Sequence, residues 1–522
     1  MTRKLLSILA CLSLLWQRNE RIAKLAVASR YQTLQTELPR AIAALSTPGR
    51  EPELLIHGLS VGAPLMEQWH IGADDWKSLA DVDRLDSNKQ SNLDRQLAKL
   101  AYMMASAEYR VALQSGDTEA PVTTDNAGHW NRLVAKLDPA LSSLARLQHE
   151  QISKKLDRIR PDEVQMDQYA AGDSLDARAM LAAYSGDAVL WRELTEKQLD
   201  NQPTNANFWF DLALANGLLG DLDRAAACFD VANRMQPDSI AILFNRGVCS
   251  LEHREYQFAF SDFSECLRID ATMSAAQSNR ALASFGMKDY RSALEDLNQV
   301  IDHGRPSTRI LLLRARVHMA MGNAQLADAD RLAASRIEPR DADDWVARGV
   351  SLLNDSPEAA LADFKSALHI RPNDVKAMNN AAHAYSERLN DPRQAIEMLS
   401  RLIAIRPNQA SAIASRGILQ ARTRNWKHAI ADAISASKLS PSAREQVQIA
   451  GIHAMLIDAQ RSPAIHREEA ITWLARALKT DMQLARVARD DTDLSNIADD
   501  PKFVRLIESG MAIEATSQPT DR

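Results

Sequence analysis

Turn-forming residues are scarce in this chain of 522 amino acids. It contains 18 glycines and 19 prolines. Each residue type makes up under 4% of the chain, whereas average proteins contain roughly 7% glycine and 5% proline. This argues against turn-rich all-β, collagen-like and low-complexity chains. Its 46% of hydrophobic and 25% of charged residues are enough to build a buried core. An intrinsically disordered chain is therefore excluded as well.

An excess of positive charge and a cysteine framework are also missing. Lys and Arg number 62 against 68 Asp and Glu, and no window carries the basic stripe that neutralises phosphates, so nucleic acid is not an expected partner. The four cysteines, Cys11, Cys228, Cys249 and Cys266, form no C-x-x-C, and the 12 histidines form no H-E-x-x-H. We therefore expect no disulfide scaffold, no metal site and no cofactor.

One apolar stretch near the N-terminus bears on localisation. Residues 5–16 follow Arg3 and Lys4 and precede a polar segment, which is the layout of the charged and apolar regions of a signal segment. Twelve helical residues rise about 18 Å against a hydrocarbon core of about 30 Å, so the stretch cannot span a bilayer alone. A membrane anchor, a signal, lipid attachment at Cys11 and a buried helix remain the alternatives, and localisation stays open between cytoplasm and membrane.

Alanine recurs between residues 206 and 443 at intervals of 34, 34, 34, 33, 35 and 34 residues. These alanines are Ala225, Ala259, Ala293, Ala327, Ala360, Ala395 and Ala429. If they are position 20 of a repeating unit, position 8 is always small: Ala213, Gly247, Ala281, Ala315, Gly349, Ala382 and Gly417. Packed helices lie about 8–10 Å apart, so small residues at both positions predict the crossing of two antiparallel helices.

Larger residues and prolines complete the repeating unit. Position 24 carries Phe229, Phe263, Leu297, Phe364 and Leu399, and position 32 carries Pro237, Pro339, Pro372, Pro407 and Pro441. A proline at that point ends the second helix of each unit. The sequence thus predicts a series of helix pairs.

This pattern resembles the tetratricopeptide repeat (TPR) family. The first unit carries the resemblance through Trp209, Leu212, Ala213, Ala225, Phe229, Ala232 and Pro237. It implies an all-α fold, a TPR-type right-handed α-solenoid preceded by a helical N-terminal region. The predicted parts are an apolar helix and linker (1–50), a helical region (51–160), a degenerate helix pair (161–205), seven repeats (206–443), and a degenerate repeat with a capping segment (444–522).

Arginine at position 7 and aspartate at position 23 occur together in five of the seven repeats. The pairs are Arg246 with Asp262, Arg280 with Asp296, Arg314 with Asp330, Arg348 with Asp363, and Arg416 with Asp432. The other two repeats lack both, carrying Leu212 with Cys228 and Ala381 with Met398. The matched loss predicts that each arginine reaches across its helix pair to the aspartate. Two independently solvated charges are the alternative.

In TPR proteins the first helices line a concave face through positions 2, 5, 6, 9, 12 and 13. Here that face would include Phe210, Phe244, Asn245, Asn279, Asn380 and His383. An Asn amide both donates and accepts, so a row of them can hold an extended peptide. The resemblance implies a non-enzymatic scaffold that binds a protein or peptide. Solvated asparagines, and core positions for the two phenylalanines, are the alternatives.

Two further functions remain as alternatives. Residues 51–115, with Trp69 and Trp76, resemble the region after the membrane segment of some planctomycete-type bacterial serine/threonine kinases with TPR arrays. The chain has no H-R-D and no D-F-G kinase motif, so this resemblance implies a signalling region that acts with a kinase in trans. Residues 58–62 also fit the G-x-S-x-G elbow of a serine hydrolase through Ser60, although a loop is the expected structure. We predict no catalytic residue.

Overall fold

The computed structural model describes residues 2–47, 52–115, 121–153, 174–304, 307–459 and 462–517. Over these ranges the regular elements are helices and no strand is formed, although Ile71 and Ala73 make one isolated β-bridge. The predicted fold class, an all-α TPR-type solenoid, is confirmed.

Helices of the N-terminal region surround a shared core. They are α1 (Thr2–Ser46), α2 (Pro52–Gln68), α3 (Trp76–Leu79), α4 (Ser87–Ser115), α5 (Pro121–Leu137) and α6 (Ser142–Ser153). Leu34 of α1, Leu55 of α2 and Leu97 of α4 are fully buried in this core together with Trp69. The pair α7 (Leu175–Ser185) and α8 (Ala188–Asn201) follows, within residues 161–205, for which the sequence predicts a degenerate helix pair.

The first helix differs between its two halves. Leu14 and Trp16 are 65% and 67% exposed, whereas Leu34 and Leu45 are buried. The side chains of residues 5–12 lie outside the described part of the structure. No helix in the described ranges has the length and apolar character needed to cross a bilayer.

Seven helix pairs follow at the predicted positions, and we number them repeats 1 to 7. They are α9 (Ala206–Leu219) and α10 (Leu222–Met235), α11 (Ile240–Glu252) and α12 (Tyr256–Ile269), α13 (Ser274–Gly286) and α14 (Tyr290–His303), α15 (Thr308–Ala320) and α16 (Ala324–Ser335), α17 (Ala342–Leu352) and α18 (Pro357–Ile370), α19 (Val375–His383) and α20 (Pro392–Ile405), and α21 (Ala410–Arg422) and α22 (Trp426–Ser437). A π-helical turn, Ala384–Arg388, extends α19.

Four further helices follow repeat 7 in the described ranges. They are α23 (Ala443–Leu456), α24 (Pro463–Thr480), α25 (Leu484–Arg489) and α26 (Pro501–Ser517), with a 3-10 segment over Thr492–Ile497. A capping box of Ser442 and Glu445 starts α23, which satisfies N–H groups that the first turn leaves open.

The contacts divide the chain into two compact units. Unit 1 is Met1–Gly217 with Leu222–Asp296, and unit 2 is Leu218–Asp221 with Leu297–Arg522. The division falls within α14, the second helix of repeat 3.

Glycine at position 8 makes room for the aromatic ring at position 24. A Cβ atom on Gly247 would lie 2.9 Å from the ring of Phe263, and one on Gly349 would lie 2.5 Å from the ring of Phe364. Both phenylalanines are fully buried. The small residues therefore lie where the two helices of a repeat approach each other, as their spacing predicts.

Candidate functional site

The structure brings all five predicted arginine–aspartate pairs together. In each pair the arginine Nε donates to aspartate Oδ2 at 2.9 Å. The arginine NH2 donates to Oδ1 at 2.5–2.9 Å. The aspartates are buried, and the hydrogen bonds that Arg280 donates to Asp296 raise the pKa of Arg280. Each pair thus joins the two helices of one repeat by a two-point, charge-assisted contact.

The remaining guanidinium nitrogen links neighbouring repeats in four of these five cases. NH1 donates to a polar side chain at position 25 of the preceding repeat: Arg246 to Asp230 at 3.0 Å, Arg280 to Ser264 at 3.5 Å, Arg314 to Asn298 at 2.9 Å, and Arg416 to Ser400 at 3.1 Å. In the fifth case position 25 is Leu332, and the guanidinium of Arg348 instead lies 4.5 Å from the ring centroid of Trp345. We call an arginine with its position-23 and position-25 partners an arginine staple.

The contact between the arginine and position 25 of the preceding repeat was not predicted, although the sequence contains a pattern that indicates it. The partner always lies 16 residues before the arginine, and it is polar in the four repeats where the contact forms.

The two predicted groove phenylalanines lie in the core instead. Phe210 packs edge-on against Phe229 with ring centroids 5.9 Å apart, and Phe244 packs in the same way against Phe263 at 5.5 Å. Both are buried. Position 5 therefore packs against position 24 within the repeat, and the expectation that these rings face a ligand is corrected.

Asn245 and Asn279 lie in unit 1, on α11 and α13. The Asn245 side chain donates through Nδ2 to the carbonyl of Ala241 at 2.8 Å and to Oγ1 of Thr47 at 3.3 Å. Asn279 is half-buried. The side chain of Asn245 is therefore already engaged by the N-terminal region.

The same region reaches repeat 1 through α4. Lys99 Nζ lies 5.7 Å from the ring centroid of Phe208. Burial raises the pKa of Asp211 to about 6, and the charge of Lys99 opposes this rise. Asp211 occupies position 6, the place that asparagine takes in repeats 2, 3 and 6.

Asn380 and His383 lie in unit 2, on α19. Asn380 Nδ2 donates to the carbonyl of Lys376 at 2.9 Å, and the His383 side chain is exposed. The first helices α15, α17 and α19 lie side by side, and on them Met319 and Val350 are each 42% exposed. We call Met319, Val350, Asn380 and His383 the repeat 4–6 face.

Basic side chains gather around one carboxylate at the start of these helices. Asp343 of α17 is paired with Arg371, and Arg309 and Lys376 each have a nitrogen 3.9 Å from it. Burial alone would raise the pKa of Asp343, but the charges of Lys376, Arg371 and Arg309 hold it below its usual value. Asp343 therefore stays ionised, and its charge holds the three basic side chains near it.

The hydrolase motif does not form the structure that catalysis needs. Ser60 lies within α2, where its hydroxyl donates to the carbonyl of His57 at 2.8 Å. A nucleophile elbow requires a sharp strand-to-helix turn, and the expected loop is not formed either. Both interpretations of residues 58–62 are wrong, because the segment continues a helix that starts at Pro52.

Neither a reactive cysteine nor a metal site is indicated in the described ranges. Cys228, Cys249 and Cys266 are buried, and burial raises the pKa of the Cys266 thiol, which makes that thiol unreactive. No group of three or more His, Cys, Asp or Glu residues that could hold a metal ion occurs in that part of the chain.

Comparisons with known proteins agree with the helix pairs. Residues 351–419 match a family model described as tetratricopeptide repeat. A curated relative, mouse DnaJ homolog subfamily C member 7, is 23% identical over 274 residues, which is 47% of this chain. The match spans 55% of the relative's length.

Several solved structures are similar to parts of the chain. A TPR protein from Parabacteroides merdae is 17% identical, with 54% of this chain and 98% of that chain covered and a TM-score of 0.34. YrrB, described as a TPR protein with an unusual peptide-binding site, is 19% identical, with coverage of 37% and 98% and a TM-score of 0.22. MamA from Desulfovibrio magneticus is 14% identical, with coverage of 38% and 94% and a TM-score of 0.21.

No argument about function follows from structural similarities of this size. The matched family model covers residues 351–419, which lie in repeats 5 to 7, and it agrees there with the helix pairs of a tetratricopeptide repeat.

Proposed function

We propose that the chain is a non-enzymatic scaffold that binds an extended segment of a partner protein on the repeat 4–6 face. One observation carries the proposal. At position 9, Val350 and His383 are exposed on adjacent first helices of unit 2, whereas Leu214 at the same position of repeat 1 is buried. The first helices of unit 2 thus offer solvent-accessible side chains where the TPR resemblance places ligand contacts.

The chemistry of this face suits an extended segment. The side-chain amide oxygen of Asn380 can accept a hydrogen bond from a backbone N–H of the segment, and the exposed His383 ring can donate or accept one. Met319 and Val350 offer apolar contact, and the flexible thioether of a methionine adapts to side chains of different shape. These contacts recognise the backbone and adapt to different side chains. They therefore favour segments in an extended conformation and do not require one particular sequence motif.

A serine/threonine kinase acting in trans is a partner that the N-terminal resemblance implies, and it remains a prediction. Membrane association through residues 5–16 is also still a prediction. The affinity capture described below tests the kinase.

The proposal is tested by selecting peptide segments on the full-length chain and measuring their dissociation constants. We expect Asn380→Ala/His383→Ala to weaken binding about tenfold or more, which corresponds to about 1.4 kcal/mol. Glu358→Ala, an exposed change on the second helix α18, serves as the control and should bind like the wild type. Affinity capture with the same three proteins then shows whether a kinase is among the partners.

A second comparison separates the two units. Asn245→Ala/Asn279→Ala should leave binding to the repeat 4–6 face unchanged, because both residues belong to unit 1. Equal binding by all the variants would contradict the proposal.

A further inference from the structure

The end of α1 and the start of α2 meet the first helices of repeats 2 and 3 through polar contacts. Thr47 is buried, and its Oγ1 accepts from Asn245 Nδ2 at 3.3 Å. Glu53 Oε2 accepts from the backbone N–H of Ala275 at 2.9 Å. Arg110 of α4 donates to the carbonyl of Thr47 at 2.8 Å, which ties this part of the chain to the N-terminal core.

Glu53 provides a cap that α13 lacks locally. The residue before α13 is Met273, whose side chain makes no capping hydrogen bond, so the first N–H groups of the helix need another acceptor. A carboxylate fits there because it accepts the hydrogen bond and its charge is favoured by the helix dipole. The acceptor comes from 222 residues earlier in the chain.

These contacts fall on the positions where the TPR resemblance places a ligand. Asn245 is at position 6 of repeat 2 and Ala275 is at position 2 of repeat 3. In repeat 1, Lys99 lies against Phe208, next to Asp211 at position 6. The N-terminal region therefore touches ligand-contact positions in repeats 2 and 3, and in repeat 1 the charge of Lys99 acts on Asp211 at position 6.

We propose that Thr47 and Glu53, with Lys99 of α4, form a built-in occupant of the first helices of repeats 1 to 3. A partner segment reaches these helices only after the N-terminal region has been displaced. The occupant also indicates the chemistry of such a partner, which is an acidic segment that presents a carboxylate to the start of α13 and an acceptor to Asn245. This inference rests on the proposed function only in treating the first helices as ligand-binding surfaces.

The test compares hydrogen–deuterium exchange of the full-length wild type, Glu53→Ala and Glu67→Ala. Glu67 is an exposed glutamate of the same helix and serves as the matched control. In Glu53→Ala we expect the first turn of α13 to exchange about fivefold faster, the factor that corresponds to losing a helix cap. Residues of α11 around Asn245 should also exchange faster, while α19 in unit 2 should not change.

Unchanged exchange in α11 and α13 would overturn the proposal. Faster exchange throughout unit 1 would overturn it as well, since it would show that Glu53 supports the fold rather than one contact.

A second variant tests the docked arrangement while leaving Glu53 in place. Thr47→Cys/Asn245→Cys should form an intramolecular disulfide on mild oxidation, identified by peptide mapping, whereas each single variant should not. Absence of the link would contradict the docked arrangement. Neither experiment uses a ligand, so a negative result here leaves the repeat 4–6 face intact, and failure of that face leaves the built-in occupant intact.

Discussion

At the scale of single residues, the arginine staples explain why charged residues recur inside a helical array. Each arginine makes two hydrogen bonds to a buried aspartate of its own repeat, and four of the five also reach the preceding repeat. A buried carboxylate that loses its only cation is strongly destabilising. The joint loss of both partners in repeats 1 and 6 follows from this, because losing one alone is worse than losing both.

The first prediction is an energetic coupling between Arg280 and Asp296. Arg280→Ala and Asp296→Met copy the residues of repeat 6, and each alone should lower the free energy of unfolding by about 2–4 kcal/mol. The double variant should cost clearly less than the sum, giving a coupling above about 1 kcal/mol in urea unfolding.

The chain contains a matched control for this cycle. Arg291 and Glu295 form an ion pair 3.3 Å long whose side chains are 89% and 63% exposed. Their coupling should stay below about 0.5 kcal/mol. Equal coupling for both pairs would contradict a special role for the staple.

A histidine pair after repeat 7 predicts a pH dependence. His453 Nδ1 lies 3.2 Å from His466 Nδ1, so one neutral ring donates and the other accepts. Burial, and then the charge of His466, lowers the pKa of His453 from 6.5 to about 4. Between these values the unfolded chain binds a proton that the folded chain does not, so stability is present above pH 6.5 and is lost as the pH falls towards 4.

We expect this loss to reach at most about 3 kcal/mol in the wild type. Urea unfolding at pH 7 and at pH 4.5 should show a smaller loss in His453→Gln, whereas the exposed control His369→Gln should behave like the wild type. The same loss in all three proteins would show that the pair does not cause it.

At the scale of helices, repeats 2 and 5 depend on the match between position 8 and position 24. Their sequences combine glycine at position 8 with phenylalanine at position 24, whereas repeat 3 has Ala281 and the smaller Leu297, and repeat 1 combines Ala213 with Phe229. In repeats 2, 3 and 5 the pattern is volume compensation, because an added methyl group needs a smaller neighbour in a close-packed interior.

This compensation predicts a rescue. Gly349→Ala places a methyl group 2.5 Å from the ring of Phe364, so we expect it to lower the free energy of unfolding by about 1–3 kcal/mol. Adding Phe364→Leu recreates the pair of repeat 3 and should recover part of that loss. A double variant less stable than Gly349→Ala would contradict the explanation.

The helices show how far sequence reasoning extends. The 34-residue period predicts the helix pairs and their crossing points because the same physical requirement recurs in every repeat. The period does not decide where Phe210 and Phe244 lie, because an aromatic residue at position 5 suits both a core and a binding surface. It also fails at residues 58–62, where the glycines of a short motif gave no sign that a helix continues through them.

At the scale of the whole chain, contacts between distant segments could not be predicted. Thr47 and Asn245 are 198 residues apart, and their contact leaves no periodic signal in the sequence. The six predicted groove residues therefore separate in the structure: two are in the core, two lie in unit 1, where Thr47 engages one of them, and two lie on the repeat 4–6 face. The last two are the ones on which the proposed function depends.

The central claim is that a partner segment binds across the first helices of unit 2. The most direct measurement is photo-crosslinking of a selected segment to full-length chains that carry benzoylphenylalanine in place of either His383 or Glu358. We expect efficient crosslinking from position 383 and little from position 358. Equal crosslinking from both positions, or crosslinking from position 358 alone, would contradict it.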